Sequence, residues 1–212
     1  MIAVVALVFV ATTVQAQAPK ASLSVTLGDK VVLLPAPEAF EEVTSQWETA
    51  KRIFAATVPA DGDLLAGYLR ASDLDLLRKG QVGSYSSWVT VSILREGRTH
   101  VSDKAEFARI VGYALQDGEK LTNPDRRAIK DGLANLDKVL STATSKDVKI
   151  DVSKPKVLGT FDRRPDVFSN LLLIHTKVNV DGKEAVSTPV LAAMTLVLVK
   201  QRIIGVYTYK NY

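Results

Sequence analysis

Cysteine is absent from this 212-residue chain, and histidine occurs only at His100 and His175. Without cysteine there are no disulfides, thiol nucleophiles, thiolate metal ligands or lipidated cysteines. The two histidines have no partner at the short spacing of a zinc site, and the H-E-x-x-H motif does not occur. P-loop and dinucleotide-binding glycine patterns are also lacking. The sequence therefore predicts no metal and no cofactor.

Long blocks of like charge are missing as well. Lys and Arg total 27 against 23 Asp and Glu, which gives a net charge of +4 with the two signs interleaved along the chain. A nucleic-acid-binding protein usually concentrates its basic residues in a stripe, so nucleic acid is not expected as a partner. A mildly cationic surface suits anionic molecules. We expect the partner to be either an envelope protein or a small anionic ligand.

The N-terminal stretch carries no charge before Lys20, and residues 2–11 are all apolar. This run is shorter than the roughly 20 residues that a membrane-spanning helix needs. It matches the apolar region of a secretory signal, which is about 7–15 residues long, although the usual preceding Lys or Arg is missing. Val14 and Ala16 occupy the positions that a signal peptidase inspects, so we predict cleavage between Ala16 and Gln17. An uncleaved membrane anchor and a buried strand are the alternatives.

This interpretation predicts a periplasmic or secreted protein without a stable membrane span once the signal is removed. Its parts are a signal peptide at 1–16, a tether at 17–22 and one domain at 23–212. A domain of this length can bury a sufficient core without disulfides.

Hydrophobic periodicity predicts an α+β fold, an antiparallel sheet of mostly hairpin-connected strands with helices packed on it. Gly28-Asp29 and Asp181-Gly182 are two-residue hairpin turns, and Lys200-Gln201 lies where the strand lengths require a tight reversal. Pro189 indicates a bulge or a strand start, since proline cannot donate to a ladder. Predicted strands lie at 23–27, 31–34, 63–69, 88–94, 148–152, 156–161, 167–180, 184–199 and 202–210.

Capping patterns predict where four helices begin and end. Ser45 and Glu48 form a capping box for a helix that ends near Ala56. Ser72 caps a short helix at 73–79, which Gly80 closes, and Ser102 or Asp103 caps a helix that ends at Gly118. Asn123-Pro124 begins the last helix, which runs to about Ser141.

The most site-like segment of the sequence is TFDRRPD at 160–166. Arg163 or Arg164, in a proline-containing loop between strands, has the planar guanidinium that binds a carboxylate or phosphate bidentately. The alternative, which we favour, is that these arginines pair with Asp162 and Asp166 on a solvated loop.

Aromatic residues mark a second candidate site. Tyr85 and Trp88 have the side chains to line a ligand groove, although core packing explains Trp88 equally well. GSYSS at 83–87 lacks the spacing of a nucleophile elbow. We expect His175 to be an ordinary sheet residue on the face opposite Ile174 and Thr176. These observations predict no catalytic residues and a non-enzymatic binding or accessory module; a hydrolase whose site the sequence does not reveal is the alternative.

The segment VVLLPAPEAF at 31–40 resembles the LP-x-P-x-G-F entry of exported bacterial envelope proteins of uncharacterised function, with Ala39 where glycine is usual. The strand-rich ending at 194–209 is similar to the PsbP-like α/β fold. That resemblance implies a non-catalytic accessory protein of the envelope.

Overall fold

The structure, a computed structural model, describes residues 22–79, 85–121 and 127–212. The predicted signal peptide, its cleavage site at Ala16-Gln17 and nearly all of the tether lie outside these residues. So do Gly80, the glycine and first serine of the GSYSS segment, and the predicted helix start at Asn123-Pro124.

The predicted α+β class is confirmed. The ten described strands are β1 (Leu23–Leu27), β2 (Lys30–Leu34), β3 (Phe40–Glu42), β4 (Gly62–Arg70), β5 (Ser87–Leu94), β6 (Val148–Val152), β7 (Lys156–Arg164), β8 (Val167–Val180), β9 (Lys183–Val199) and β10 (Arg202–Asn211). The described helices are α1 (Glu48–Ala56), α2 (Leu74–Arg78), α3 (Lys104–Leu121) and α4 (Arg127–Thr144), with short 3₁₀ turns at Ala71–Asp73 and Glu96–Arg98. None of the helices in these ranges is both long and apolar enough to cross a membrane.

Eight strands form one antiparallel sheet in the order β3-β4-β5-β10-β9-β8-β6, and β7 pairs with the same edge of β8 as β6 does. The predicted turns are confirmed. Asp181 and Gly182 both have positive φ, as do Lys200 and Gln201. This is the backbone of the tight turn that matches strand twist.

Each face of the sheet has its own cover. The separate hairpin β1–β2 packs its apolar side chains on β4, β5 and β10, where Tyr68, Val89 and Val91 are buried. The helices cover the opposite face: α1 and α2 pack near Leu69 and Trp88, α3 packs on Phe168, and α4 lies over β6 and β8. An open space remains between α4 and this face of the sheet.

A buried arginine holds the hairpin turn to the sheet. Arg202 is 2% exposed; it donates hydrogen bonds to the carbonyls of Arg98 and Gln201 and to the Asp29 carboxylate, each at 3.0 Å. Gly28 has a φ of +60°, and a Cβ there would lie 3.1 Å from the Arg98 carbonyl oxygen. The turn therefore needs glycine both for its backbone conformation and for its close approach to the sheet.

Two predicted helix caps are wrong. The Ser45 side chain makes no cap to α1, which begins after Trp47, because the Ser45 N–H and hydroxyl both donate to the Glu42 carboxylate. Ser72 does not cap α2 either. In both places the helix begins later than predicted, after Trp47 for α1 and after the 3₁₀ turn Ala71–Asp73 for α2, so neither serine is at the capping position.

The other predicted helix limits are confirmed in part. Asp103 caps α3 as predicted, with its carboxylate accepting the Glu106 N–H at 2.8 Å. The predicted end of that helix at Gly118 is wrong, because α3 continues to Leu121. α1 ends at Ala56 as predicted, and α4 continues three residues past Ser141 to Thr144.

Pro189 neither begins a strand nor forms a bulge, so that prediction is wrong. It lies inside β9 opposite His175, and the bulge falls instead where Asn179 pairs with Glu184. The Pro189 carbonyl accepts the Tyr212 N–H at 3.0 Å, so its backbone polar groups point away from β8. β10 ends beside it at Asn211, and the missing N–H therefore removes no ladder hydrogen bond.

The loop between β2 and β3 contains an unusual backbone conformation at Ala39. Its φ is 61°, in the left-handed region that favours glycine. Alanine at this position is therefore under backbone strain that glycine would relieve.

Candidate functional site: an apolar cavity between the helices and the sheet

A cavity of about 610 Å³ lies between α1, α4 and the helix-covered face of the sheet. Its floor crosses five neighbouring strands, from β5 through β10, β9 and β8 to β6. Most of the lining side chains are apolar, and the volume falls in the range of ordinary small-molecule sites, about 300–1,000 Å³. The floor is made by Trp88, Tyr209, Asn211, Thr188, Val190, Ile174, Thr176, Val178, Ile150 and Val152.

The end of the cavity under α4 is aliphatic. Ile129, Leu133 and Leu136 line it from the helix, and Ile150 and Val178 line it from the strands. The helix side chains are only half-buried, and Leu140 is the α4 residue that reaches the buried cluster with Ile53 and Val148. Residues 129, 133, 136 and 140 have the spacing of one helix face, and that face borders the cavity.

The other end of the cavity is aromatic. Trp88 stacks on Tyr209 with ring centroids 5.0 Å apart and an angle of 15° between the planes. Tyr85 and Phe54 complete the wall. The structure thus brings together the two aromatic residues that the sequence singled out, Tyr85 and Trp88.

Asp73 holds this aromatic end in place. Its carboxylate is buried and accepts the Ser86 N–H at 2.7 Å, the Ser86 hydroxyl at 2.8 Å and the Ser87 N–H at 3.4 Å. The Asn211 amide donates to the Tyr85 carbonyl at 2.7 Å. These hydrogen bonds fix the backbone that carries Tyr85 and Trp88. The sequence predicted Asp73 as part of a helix start and gave no sign of this role.

The Tyr85 hydroxyl is the unusual polar group of the cavity. The residue is 8% exposed, and its Oη atom has no hydrogen-bond partner among the described residues. Burial, with a smaller contribution from the Asp73 charge, raises the pKa of Tyr85 to about 12. The phenol is therefore protonated at neutral pH, and its O–H can donate a hydrogen bond. A buried donor without a partner costs free energy, which a ligand acceptor would recover.

Charge is sparse around the cavity. Among the described residues that line it, Asp61 is the charged one, and it is exposed at the end of the α1–β4 connection. A smaller cavity of about 110 Å³ lies next to it and shares Thr57, Pro59 and Tyr209 as lining.

The arginine candidates lie elsewhere. Arg163 and Arg164 belong to β7, which continues to Arg164 instead of ending in a loop at 161. Arg164 donates to Asp162 at 2.8 and 3.0 Å, and this bond raises the pKa of Arg164. Pairing of these arginines with acidic residues of the same segment was the alternative that we favoured, and Arg164 does pair with Asp162. Neither arginine lines the cavity.

Neither histidine contributes to the cavity. His175 is exposed and lies on the sheet face opposite Ile174 and Thr176, as predicted. Its backbone N–H donates to the Ser153 hydroxyl at 2.9 Å. His100 lies 3.0 Å from the Glu106 carboxylate at the start of α3. Within the described ranges, no group of three or more His, Asp or Glu side chains is arranged to hold a metal ion.

No protein-family model matches this chain, and no curated protein sequence matches it either. Among solved structures it is similar to the Saccharomyces cerevisiae Ran-binding protein Mog1p, with 11% identity, a TM-score of 0.32 and coverage of 91% of this chain and 78% of that chain. A structure of a Mog1 point mutant has 10% identity, the same TM-score of 0.32 and the same coverage. Likeness at this level carries no argument about function.

Proposed function

We propose that this protein is a non-enzymatic binding module that holds an apolar small molecule in the cavity under α4. The observation that carries the proposal is the cavity itself, about 610 Å³ between apolar walls. The cavity opens to solvent past the exposed Asp61 and Leu94. Clefts of this size with mostly apolar walls and a few polar groups are the usual form of small-molecule sites.

The cellular part of the proposal draws on the sequence. The uncharged leader predicts export, and the resemblance to envelope proteins and to the PsbP-like fold implies an accessory role in the bacterial envelope. We accordingly place the module in the periplasm or outside the cell. Mass spectrometry of the protein from its native host tests this placement, which requires a mature N-terminus at Gln17 and fails if a soluble cytosolic species retains Met1.

Two glycines on neighbouring helices provide a matched test of the cavity. A Cβ added at Gly132 in α4 meets nothing within 4 Å, and Gly132 lines the cavity. Gly112 in α3 has the same open surroundings and is not part of the lining. Leucine at either position also improves helix propensity by a similar amount.

We expect the chain to bind N-phenyl-1-naphthylamine, an uncharged apolar fluorophore, with saturable fluorescence enhancement. Gly132→Leu should weaken this binding at least tenfold because the new side chain occupies the cavity, whereas Gly112→Leu should bind as the parent does. Equal binding by all three proteins would show that the probe binds elsewhere and would remove the support for this function.

A further inference from the structure

The two ends of the cavity differ in chemistry. Aliphatic side chains from α4, β6 and β8 surround one end, and the stacked Trp88–Tyr209 pair with Tyr85 forms the other. Two buried side-chain hydroxyls have no partner among the described residues: that of Tyr85 lies at the aromatic end of this cavity, and that of Thr90 lines the smaller cavity next to it. A ligand that fits both ends has an apolar tail and a polar head with an acceptor oxygen.

The charges bear on the nature of that head. Asp61 is the charged side chain among the described lining residues, and it is negative. The Asp73 carboxylate lies behind Tyr85, bonded to Ser86 and Ser87. Asp61 precedes Gly62, which pairs with Leu94 at the other end of β5, so Asp73 is the charge near Tyr85. An anionic head at Tyr85 would lose its hydration and be repelled by the Asp73 carboxylate, which is unfavourable in a low-dielectric site. An ammonium head has no acceptor atom, so it would leave the buried Tyr85 O–H without a partner.

We propose that the ligand is a neutral amphiphile whose head oxygen accepts a hydrogen bond from Tyr85 and whose aliphatic tail lies under α4. This inference rests on the proposed function and adds the ligand class and its orientation. It replaces the small anionic ligand that the net charge of the chain favours, because the charge near the site, and not the net charge, determines which head group is stable there.

Displacement of bound N-phenyl-1-naphthylamine by ten-carbon competitors tests the head group at pH 7.5. The competitors are 1-decanol and 2-decanone, which offer a neutral oxygen acceptor, decanoate, which is anionic, and decyltrimethylammonium, which is cationic. Both neutral compounds should displace the probe at concentrations at least tenfold lower than decanoate and decyltrimethylammonium. Extending the alcohol by one methylene should tighten binding about fourfold, as expected for burial of one CH₂.

Tyr85→Phe tests the orientation, since it removes the donor and keeps the ring. It should weaken 1-decanol and 2-decanone about fivefold, the worth of one hydrogen bond, and leave decyltrimethylammonium unchanged. The control is Tyr68→Phe, which alters a buried tyrosine on the other face whose hydroxyl donates to the Leu34 carbonyl at 3.3 Å. Tyr68→Phe should leave the order of the competitors unchanged.

The outcomes separate the two proposals. Tightest binding by decanoate or decyltrimethylammonium would overturn the neutral head, and so would an equal effect of Tyr85→Phe on all four competitors. The cavity would remain the binding site in either case if Gly132→Leu still blocks the probe. Loss of discrimination between Gly132→Leu and Gly112→Leu would instead overturn the cavity as the binding site.

Discussion

The hairpin side and the α4 side of the sheet are packed in opposite ways. Under the hairpin, ten described side chains at most 9% exposed, among them Leu27, Val32 and Tyr68, form one cluster with six partly buried neighbours. Under α4, three residues reach that level, and their neighbours Leu136, Val139 and Val178 are only partly buried. The difference is that hairpin side chains fill their space, whereas α4 side chains border the cavity.

Polar contacts hold both sides of the sheet, but at different places relative to the cavity. The hairpin is held by Arg202 and by Arg98, which donates to Asp63 at 2.9 Å and to the Thr26 carbonyl at 3.3 Å. Lys200 adds a hydrogen bond of 2.7 Å to the Val31 carbonyl. Such contacts over-determine the position of the hairpin. On the other face, the C-terminal half of α4 is held to β6 by hydrogen bonds from the Val148 N–H to the Ser141 hydroxyl at 2.9 Å and from the Ile150 N–H to the Asp137 carboxylate at 2.8 Å. The N-terminal part of α4, which borders the cavity, has apolar side chains facing it.

The largest expected effect is the contrast between two leucine truncations. Leu27→Ala should reduce the free energy of unfolding by about 3 kcal/mol, because Leu27 is completely buried and its removal leaves a new cavity. Leu133→Ala should cost only about 1 kcal/mol, since Leu133 already borders open space and loses fewer contacts. Urea unfolding of the two variants measures both values. Equal losses would mean that α4 packs as tightly as the hairpin does.

The next effect concerns the arginine that anchors the hairpin. Arg202→Met keeps most of the apolar volume and removes the bonds to Arg98, Gln201 and Asp29, so stability should fall by about 2 kcal/mol. Lys30→Met is the control, because Lys30 also pairs with Asp29, at 2.8 Å, but on the surface. Its effect should be small. If the two variants unfold at the same urea concentration, the burial of Arg202 is not what anchors the turn.

The smallest effect is a gain in stability on the hairpin side. Left-handed backbone costs a non-glycine residue about 1–2 kcal/mol, and glycine costs about 0.5–1 kcal/mol in lost chain entropy. Ala39→Gly should therefore stabilise the protein by about 0.5–1 kcal/mol by the difference of these terms. Ala60→Gly, in an exposed turn without positive φ, should destabilise it slightly. Thermal unfolding of both variants checks the sign of each change in stability. A lower melting temperature for Ala39→Gly would contradict the inference that the Ala39 backbone is strained.

Much of the strand pattern was predictable because alternation and turn chemistry are local. β6 and β8 match their predicted limits at both ends, and the tight turn at Lys200-Gln201 was predictable from strand lengths alone. The caps at Ser45 and Ser72 were predicted wrongly because both helices begin later than the cap motifs indicate. Pro189 was predicted wrongly because its effect depends on where the neighbouring strand ends.

The candidate site was predictable only in part. Tyr85 and Trp88 were identified as possible groove residues from their amphipathic side chains, and they do line one cavity. The aliphatic walls gave no such signal, because an apolar stripe has the same sequence pattern whether it packs against a core or faces a void. Arg163 and Arg164 were predicted as ligand-binding residues from the chemistry of their side chains, but Arg164 bonds to Asp162 within its own strand.

The sequence by itself determined the α+β class, the hairpin turns, the positions of most strands and the lack of thiol chemistry, since all of these depend on residue type and short-range spacing; the short β3 and the last residues of β7 were not predicted. Only the tertiary structure decided that the N-terminal part of α4 borders a cavity, that the Tyr85 hydroxyl has no partner among the described residues, and that Arg202 anchors Asp29 from 173 positions further along the chain. The physical reason is that local pattern specifies which face of an element is apolar, while the distance between two such faces depends on every element that packs around them.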